Sequence, residues 1–164
     1  MNSADGEACR AALSGSMGCS VHVTADYRAD VWLLPFDVRC LALALRTMLQ
    51  VMRDAGISIP ADVDLRLVND SFIKTANQRF MACVGPTNLL SFPGSDDDMK
   101  HGVILLSLDT FARECLLYGQ KTAEYVLMLL SHGLAHLTGF EHGPDMDRIC
   151  KACRTVAQKN CISS

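Results

Sequence analysis

The sequence predicts a single layered domain, of the α/β or α+β class, mixing four strands with about five helices. Two observations lead there. Apolar residues repeat at helical spacing in some stretches and alternate in others, with turn residues between them. The chain has 164 residues, 49% of them apolar, which suits one core and leaves little room for two. No internal repeat and no interdomain linker interrupts the pattern.

Residues 1–19 are small and polar, and read as a loose tail ahead of a folded domain spanning 20–161. Val21 to Thr24 suggests a first strand, and Pro35 suits the first turn of a helix. Leu41, Leu45, Met48 and Met52 recur at helical spacing, with Gly56 as the stop. Val63, Leu65 and Leu67 alternate with Asp62, Asp64 and Arg66, the signature of a half-buried strand. Asn69, Asp70 and Ser71 offer caps for a short helix to about Ala82, broken by Gly85-Pro86. Thr87 to Phe92 reads as a buried strand ended by Pro93-Gly94, and Gly102 to Leu108 as another. Asp109 to Tyr118 follows as a helix. Thr122 can cap a helix to about Thr138, stopped by Gly139, and Asp145 can cap a last helix to about Cys161.

A net charge of −3, from 15 basic and 18 acidic residues, excludes a strongly basic nucleic-acid coat but leaves a local basic groove open. Aromatic residues are 6% of the chain, so the core must be aliphatic and Met-rich. The even count of eight cysteines would suit disulfides. However, the chain is large enough to fold without staples, and several cysteines sit inside apolar helical patterns, where a reduced thiol packs as a small hydrophobe. Cys150-x-x-Cys153 has redox or zinc-like spacing but no second pair of matching spacing, and reads as packing or surface. Asp96-Asp97-Asp98 reads as a solvated loop, since it lacks the alternating spacing of cation-binding loops. Met1 to Ser20 has neither a charged n-region nor an apolar h-region, and no stretch approaches the ~20 apolar residues of a membrane span. The expected compartment is a reducing cytoplasm, with no membrane partner.

Three of the five histidines fall in Ser131-His132-Gly133-Leu134-Ala135-His136-Leu137-Thr138-Gly139-Phe140-Glu141-His142. His132 and His136 are four apart on one helix, so their rings project from the same face and can share one metal ion. Gly139 can end the helix in a left-handed conformation and let the chain return His142 to the same point. Three imidazoles with an open fourth position form a catalytic-type site. The competing reading is two half-buried helical histidines and an unrelated loop histidine. Zinc peptidases share the two-His step, but they need Glu directly after the first His; here that residue is Gly133.

The motif His132-Gly-x-x-His136-Leu-x-Gly139-Phe-Glu-His142 resembles the H-G-x-L-H-L-x-G-[YF]-[DE]-H motif of the YbeY family of bacterial metal-dependent endoribonucleases. Thr87-Asn88-Leu89-Leu90-Ser91-Phe92-Pro93 resembles that family's T-[DN]-V-L-S-F-P strand. The resemblance covers roughly Val21 to Cys153. It implies an α+β fold with a four-stranded mixed sheet, the metal helix across it, and one Zn2+ held by His132, His136 and His142. It also implies a single-strand-specific endoribonuclease of ribosomal RNA processing (16S 3′-end maturation) and 70S ribosome quality control. The partners implied are ribosomal RNA and the ribosome, together with ribosomal proteins or a GTPase. Asn88 and Ser91 would line the substrate groove. Glu141 would orient a ligand imidazole or act as general base.

The chain departs from that pattern in places. The family's Leu-Asn-x-x-Tyr-Arg is here Ala76-Asn77-Gln78-Arg79-Phe80-Met81, so the arginine position is Met81. Arg79, two residues earlier, is the substitute to contact substrate, although its direction on a helix differs by about 200°. The basic segment that follows in the family is here the uncharged Ala82-Cys83-Val84-Gly85, and Gly-[DE]-Ile is Gly102-Val103-Ile104. Ala135 replaces a Leu. These departures leave a second reading open, a ribosome- or protein-binding module with a retained metal site and weak or no nuclease activity. A third is another metal-dependent hydrolase. The remaining basic residues Arg66, Lys74, Arg113, Lys121, Arg148, Lys151, Arg154 and Lys159 are scattered, and spacing alone does not show whether they cluster into an RNA-facing surface.

Overall fold

The computed structural model describes residues 10–13, 18–26, 29–34, 37–94 and 101–162. Pro35 and the Asp96–Asp98 run lie outside them. The strands are β1 (Arg10–Leu13), β2 (Ser20–Ala25), β3 (Asp62–Val68), β4 (Leu89–Phe92) and β5 (His101–Ser107). The helices are α1 (Val38–Asp54), α2 (Asp70–Met81), α3 (Leu108–Tyr118), α4 (Thr122–Leu137) and α5 (Pro144–Ile162). The five helices and the mixed sheet agree with the α+β expectation. The sheet has five strands rather than four, in the order β1-β2-β3-β5-β4.

The extra strand is Arg10–Leu13, inside the stretch expected to be a loose tail. It pairs antiparallel with β2, Ala11 opposite Val23. Four residues carry too little periodicity to announce a strand, and an edge position satisfies their backbone on one side only. β2, β3 and β5 form a parallel centre, and β4 closes the far edge antiparallel to β5, with Ser91 opposite Ile104.

Alternation along β5 sorts its side chains to two faces. Ile104 and Leu106 join the main core beneath α1, α4 and α5, with Val21, Val63 and Leu65 from neighbouring strands. Leu105 faces the other way, into a smaller cluster with Val68, Leu90, Ile73 and Ala76, closed by α2. The α1 stripe Leu41, Leu45, Met48, Met52 is fully buried, as its spacing demands. In α5 the buried residues Met146, Ile149, Cys150, Cys153 and Ala157 follow the same rule. The Cys150-x-x-Cys153 pair is therefore core packing. Both are free thiols, Cys153 donating to the Met48 carbonyl (3.5 Å).

Caps and turns fix the register of these elements. Asn69 caps α2 by accepting from the Phe72 amide (2.9 Å), and Asn77 donates to the Gly85 carbonyl (3.0 Å), closing the turn toward β4. Asp70 accepts from Ser107, Thr110 and Arg113 at 2.7, 2.6 and 3.0 Å, tying the start of α2 to the end of β5 and the start of α3. Thr122 is the first residue of α4 rather than its cap. Lys121 occupies the cap position without a side-chain bond.

α4 is apolar on nearly every side because it is sandwiched between the sheet and α5. It runs back along β5, Gly133 over Ile104 and Leu137 over Gly102. A Cβ on Gly133 would stand 3.1 Å from the Leu89 Cδ2 and Ser91 Oγ atoms and 3.3 Å from the Ile104 Cδ1. The glycine between the two motif positions is what lets the helix lie this close to the sheet. No helix of the described residues is long and apolar enough to cross a membrane.

Candidate metal centre

His132 and His136 lie on the last two turns of α4. The helix ends in a Schellman arrangement. The Phe140 amide donates to the Ala135 carbonyl (3.0 Å), and the Gly139 amide to that of His136 (3.1 Å). Gly139 takes φ +87°, a conformation that a side chain would strain. This turn reverses the chain, and Pro144 starts α5 at its first helical position, leaving His142 on the short link between them.

The three rings converge. The His132 Nε2 lies 3.1 Å from the His136 Nε2 and 3.4 Å from the His142 Nε2. All three candidate ligand atoms fall within 4.8 Å of one another. Zinc–nitrogen bonds at tetrahedral angles would put ligand nitrogens about 3.3 Å apart, so this donor set fits a single zinc-sized ion. His136 donates from Nδ1 to the Phe140 carbonyl (3.1 Å), which can only accept. That bond fixes the tautomer and aims a bare Nε2 lone pair into the cluster. Burial, and then the neighbouring His136 and His142 rings, push the His132 pKa down from its ordinary value, with Asp147 opposing. A neutral imidazole is the ligand form.

Two cavities meet at the rings. One, of about 410 Å³, is lined by Met81, Asn88, Ser91 and Leu129 together with all three histidines. The other, of about 350 Å³, is lined by His132, His142, Met146, Asp147, Lys151 and Arg154, among others. Asn88 and Ser91 thus line the same cavity as the three histidines. The Asn88 Nδ2 donates to Glu114 (3.0 Å) and to the Tyr125 hydroxyl (3.3 Å), latching β4 to α3 and α4. Tyr125 also donates to Glu114 (2.7 Å); burial, and then this bond, push its pKa up to about 12. The Ser91 Oγ is buried without a partner among the described residues, tucked under Gly133. Glu141 is exposed and has no hydrogen-bond partner among the described residues. The carbonyl that orients His136 belongs to its neighbour Phe140.

Arg79 is not brought to the centre. It lines a separate apolar cavity of about 570 Å³ beside α2, with Arg66, Phe72, Phe80 and Phe92. Its guanidinium lies over the Phe80 ring, 5.3 Å from the centroid. Met81 takes the inward position, as the difference in helical direction requires. Sequence reasoning did not single out the Phe140 carbonyl, Asp147, Lys151 or Arg154. The spacing of Arg148, Lys151 and Arg154, three apart on one helix, was the available signal for the last two.

These features define a class, single-domain α+β proteins with an open three-histidine centre suited to hydrolytic chemistry. A family model described as Endoribonuclease YbeY matches residues 35–152. An Endoribonuclease YbeY of Lawsonia intracellularis is 42% identical over 120 residues, covering 73% of this chain and 85% of that protein. Another, of Nitratidesulfovibrio vulgaris, is 33% identical over 146 residues, covering 77% and 88%. The chain belongs to the YbeY family. The solution structure of TM1509 from Thermotoga maritima shares the fold, with a TM-score of 0.57 and 21% identity over 76% of this chain and 85% of that one.

Proposed function

We propose that this protein is a zinc-dependent endoribonuclease that cuts single-stranded RNA in the cytoplasm, and that it acts on ribosomal RNA precursors (16S 3′-end maturation) and in 70S ribosome quality control. Family membership supports RNA cleavage as the activity. The observation that carries the metal-dependent chemistry is the convergence of three histidine Nε2 atoms at metal-ligand spacing beside two open cavities. His132, His136 and His142 would hold one ion. Bound zinc supplies Lewis acidity that polarises a phosphoryl oxygen or eases deprotonation of water.

The residues around it divide the remaining work. The Phe140 carbonyl keeps the His136 Nε2 unprotonated and aimed. The wall formed by Asn88, Ser91 and Leu129 faces the nucleotide next to the scissile bond. Glu141, exposed beside His142, would serve as the general base. Arg79, at another cavity, makes no contact with the reacting phosphate in this reading. The test is His136→Ala. Elemental analysis should show the metal gone, and cleavage of a single-stranded ribosomal RNA fragment should fall to background. Full metal content with full cleavage would contradict the proposal.

One observation favours a second reading. Met81 lines the histidine cavity at the position where the family resemblance places an arginine, which fits a ribosome- or protein-binding module with a retained metal site. Chelator-sensitive cleavage at low protein concentration eliminates that reading.

A further inference from the structure

The two cavities at the histidines differ in charge. The one toward β4 is lined by Met81, Asn88, Ser91, leucines and the three histidines, with no lysine or arginine. The one toward α5 carries Lys151 and Arg154. The same two side chains also line a third cavity, continuing outward between α4 and α5 past Thr155 and Gln158. Lys151 and Arg154 are three apart on α5, so they project from one face. Neither residue has a carboxylate partner among the described residues, and Arg154 is steadied by its Nε donating to the Cys150 carbonyl (3.4 Å).

Two of the three carboxylates nearby are engaged by other cations. Glu124, in the outer cavity, pairs with Lys121 (3.1 Å). Arg148, the other basic residue of this stretch, pairs with Asp145 (2.8 Å). Asp147 lines the same cavity as Lys151, Arg154, His132 and His142, where its charge also acts on His132. What remains is two cations without a carboxylate partner among the described residues, shared by the histidine cavity and the outer one. A polyanion passing from one cavity to the other would meet both cations, and each phosphate neutralised would release condensed counterions.

We infer that Lys151 and Arg154 form a phosphate subsite on α5 that grips the ribose-phosphate backbone of single-stranded RNA as it leaves the histidine centre. The inference rests on the endoribonuclease reading for the identity of the polyanion, and its test is separable from that reading. The subsite also answers the loss of charge at Met81 to Gly85, since the backbone contact is made on the opposite side of the centre. Asp147 would set the boundary, repelling phosphate from the ring edges while Lys151 and Arg154 hold the next one.

The experiment measures binding of a short fluorescein-labelled single-stranded oligoribonucleotide by anisotropy, in chelator so that no cleavage occurs, across a series of salt concentrations. The double variant Lys151→Gln, Arg154→Gln should bind on the order of tenfold more weakly at low salt. Its plot of log affinity against log salt should be shallower by about 1.4, two contacts at about 0.7 each. The charge-keeping pair Lys151→Arg, Arg154→Lys should bind like the parent, which separates charge from packing. A control pair of equal charge change elsewhere, Arg39→Gln with Lys74→Gln, should leave slope and affinity nearly unchanged. Zinc content should be the same in all of these proteins. The inference is overturned if the Lys151, Arg154 double variant behaves like the control pair, if the parent shows no salt-dependent binding, or if Arg66→Gln with Arg79→Gln takes the loss instead. A double variant with normal RNA binding and normal metal-dependent cleavage would remove the subsite and leave the nuclease reading standing. Loss of parental cleavage with the salt-slope effect intact would do the reverse.

Discussion

Gly133→Ala tests whether α4 is seated on the sheet as tightly as the structure shows. In an exposed helix the change would stabilise by about 1 kcal/mol, because alanine is the better helix former. Here the new methyl would meet two atoms at 3.1 Å and one at 3.3 Å. Ordinary carbon contacts lie near 3.5–4.0 Å, so the helix must lift or the floor must yield by a few tenths of an ångström. The floor comes from two strands, Leu89 and Ser91 on β4 and Ile104 on β5, and the short Ser91 side chain has little room to rotate away. Overpacking of this kind costs about 1–3 kcal/mol. Set against the helical gain, the net expectation is a loss of about 1 kcal/mol. The lifted helix also carries His132 and His136 away from His142, which is held on a different segment, so zinc affinity should fall on the order of tenfold. Urea unfolding of the metal-free protein reads the first effect, and competitive zinc titration the second. A variant more stable than the parent by about 1 kcal/mol, with unchanged zinc affinity, would refute the close seating of α4.

Three further outcomes follow. Asp70 is partly desolvated, which raises its pKa, but the hydrogen bonds from Thr110, Ser107 and Arg113 and the Arg113 charge outweigh this and hold it below the ordinary value. Its contribution is therefore present above the unfolded-state value and fades as pH falls through the lower folded-state one. Asp70→Asn should cost about 2 kcal/mol at neutral pH, and the gap from the parent should close below about pH 4; a gap that widens on acidification would contradict it. Cys153 is fully buried, and burial, then Cys150, pushes its thiol up to about 12, whereas Cys83 is exposed. Alkylation mapped by mass spectrometry should mark Cys83 in the native protein and Cys153 only after unfolding, and equal labelling rates would contradict the packing assigned to α5. Met81→Arg puts a cation on the neutral wall of the histidine cavity and should increase cleavage of single-stranded RNA several-fold without changing zinc content; no change in rate would show that this wall does not meet the phosphate.

Much of this architecture was legible in the sequence because its signals are local. The α1 stripe, the alternation of β3, and Gly139 as a helix stop all express the backbone geometry of a few neighbouring residues. The histidine triad was legible for the same reason, an i, i+4 pair and a return turn within one short stretch. β1 was not, since Arg10–Leu13 becomes a strand only by pairing with β2. The functional meaning of Gly133 was equally hidden, because it depends on Ser91 and Ile104, distant in sequence and adjacent in the sheet. Asn88 shares a cavity with the histidines, and its bonds to Glu114 and Tyr125 show a latch that no spacing rule reveals. Arg79 and Met81 show the converse. Helical direction alone decides which of the two faces the histidines, and the structure turns Met81 inward and Arg79 toward Phe80. Lys151 and Arg154 looked scattered until α5 docked beside α4 and set them along one groove.

The central claim is that His132, His136 and His142 hold one metal ion on which RNA cleavage depends. The most direct measurement joins elemental analysis to activity in a single preparation of the parent protein: count the bound metal, remove it with a chelator, assay cleavage of single-stranded ribosomal RNA, then add zinc back. One metal ion per chain is expected, with cleavage lost when the metal is removed and restored by stoichiometric zinc. Cleavage that persists in protein shown to be metal-free, or a chain that never binds metal while cutting RNA, would contradict it.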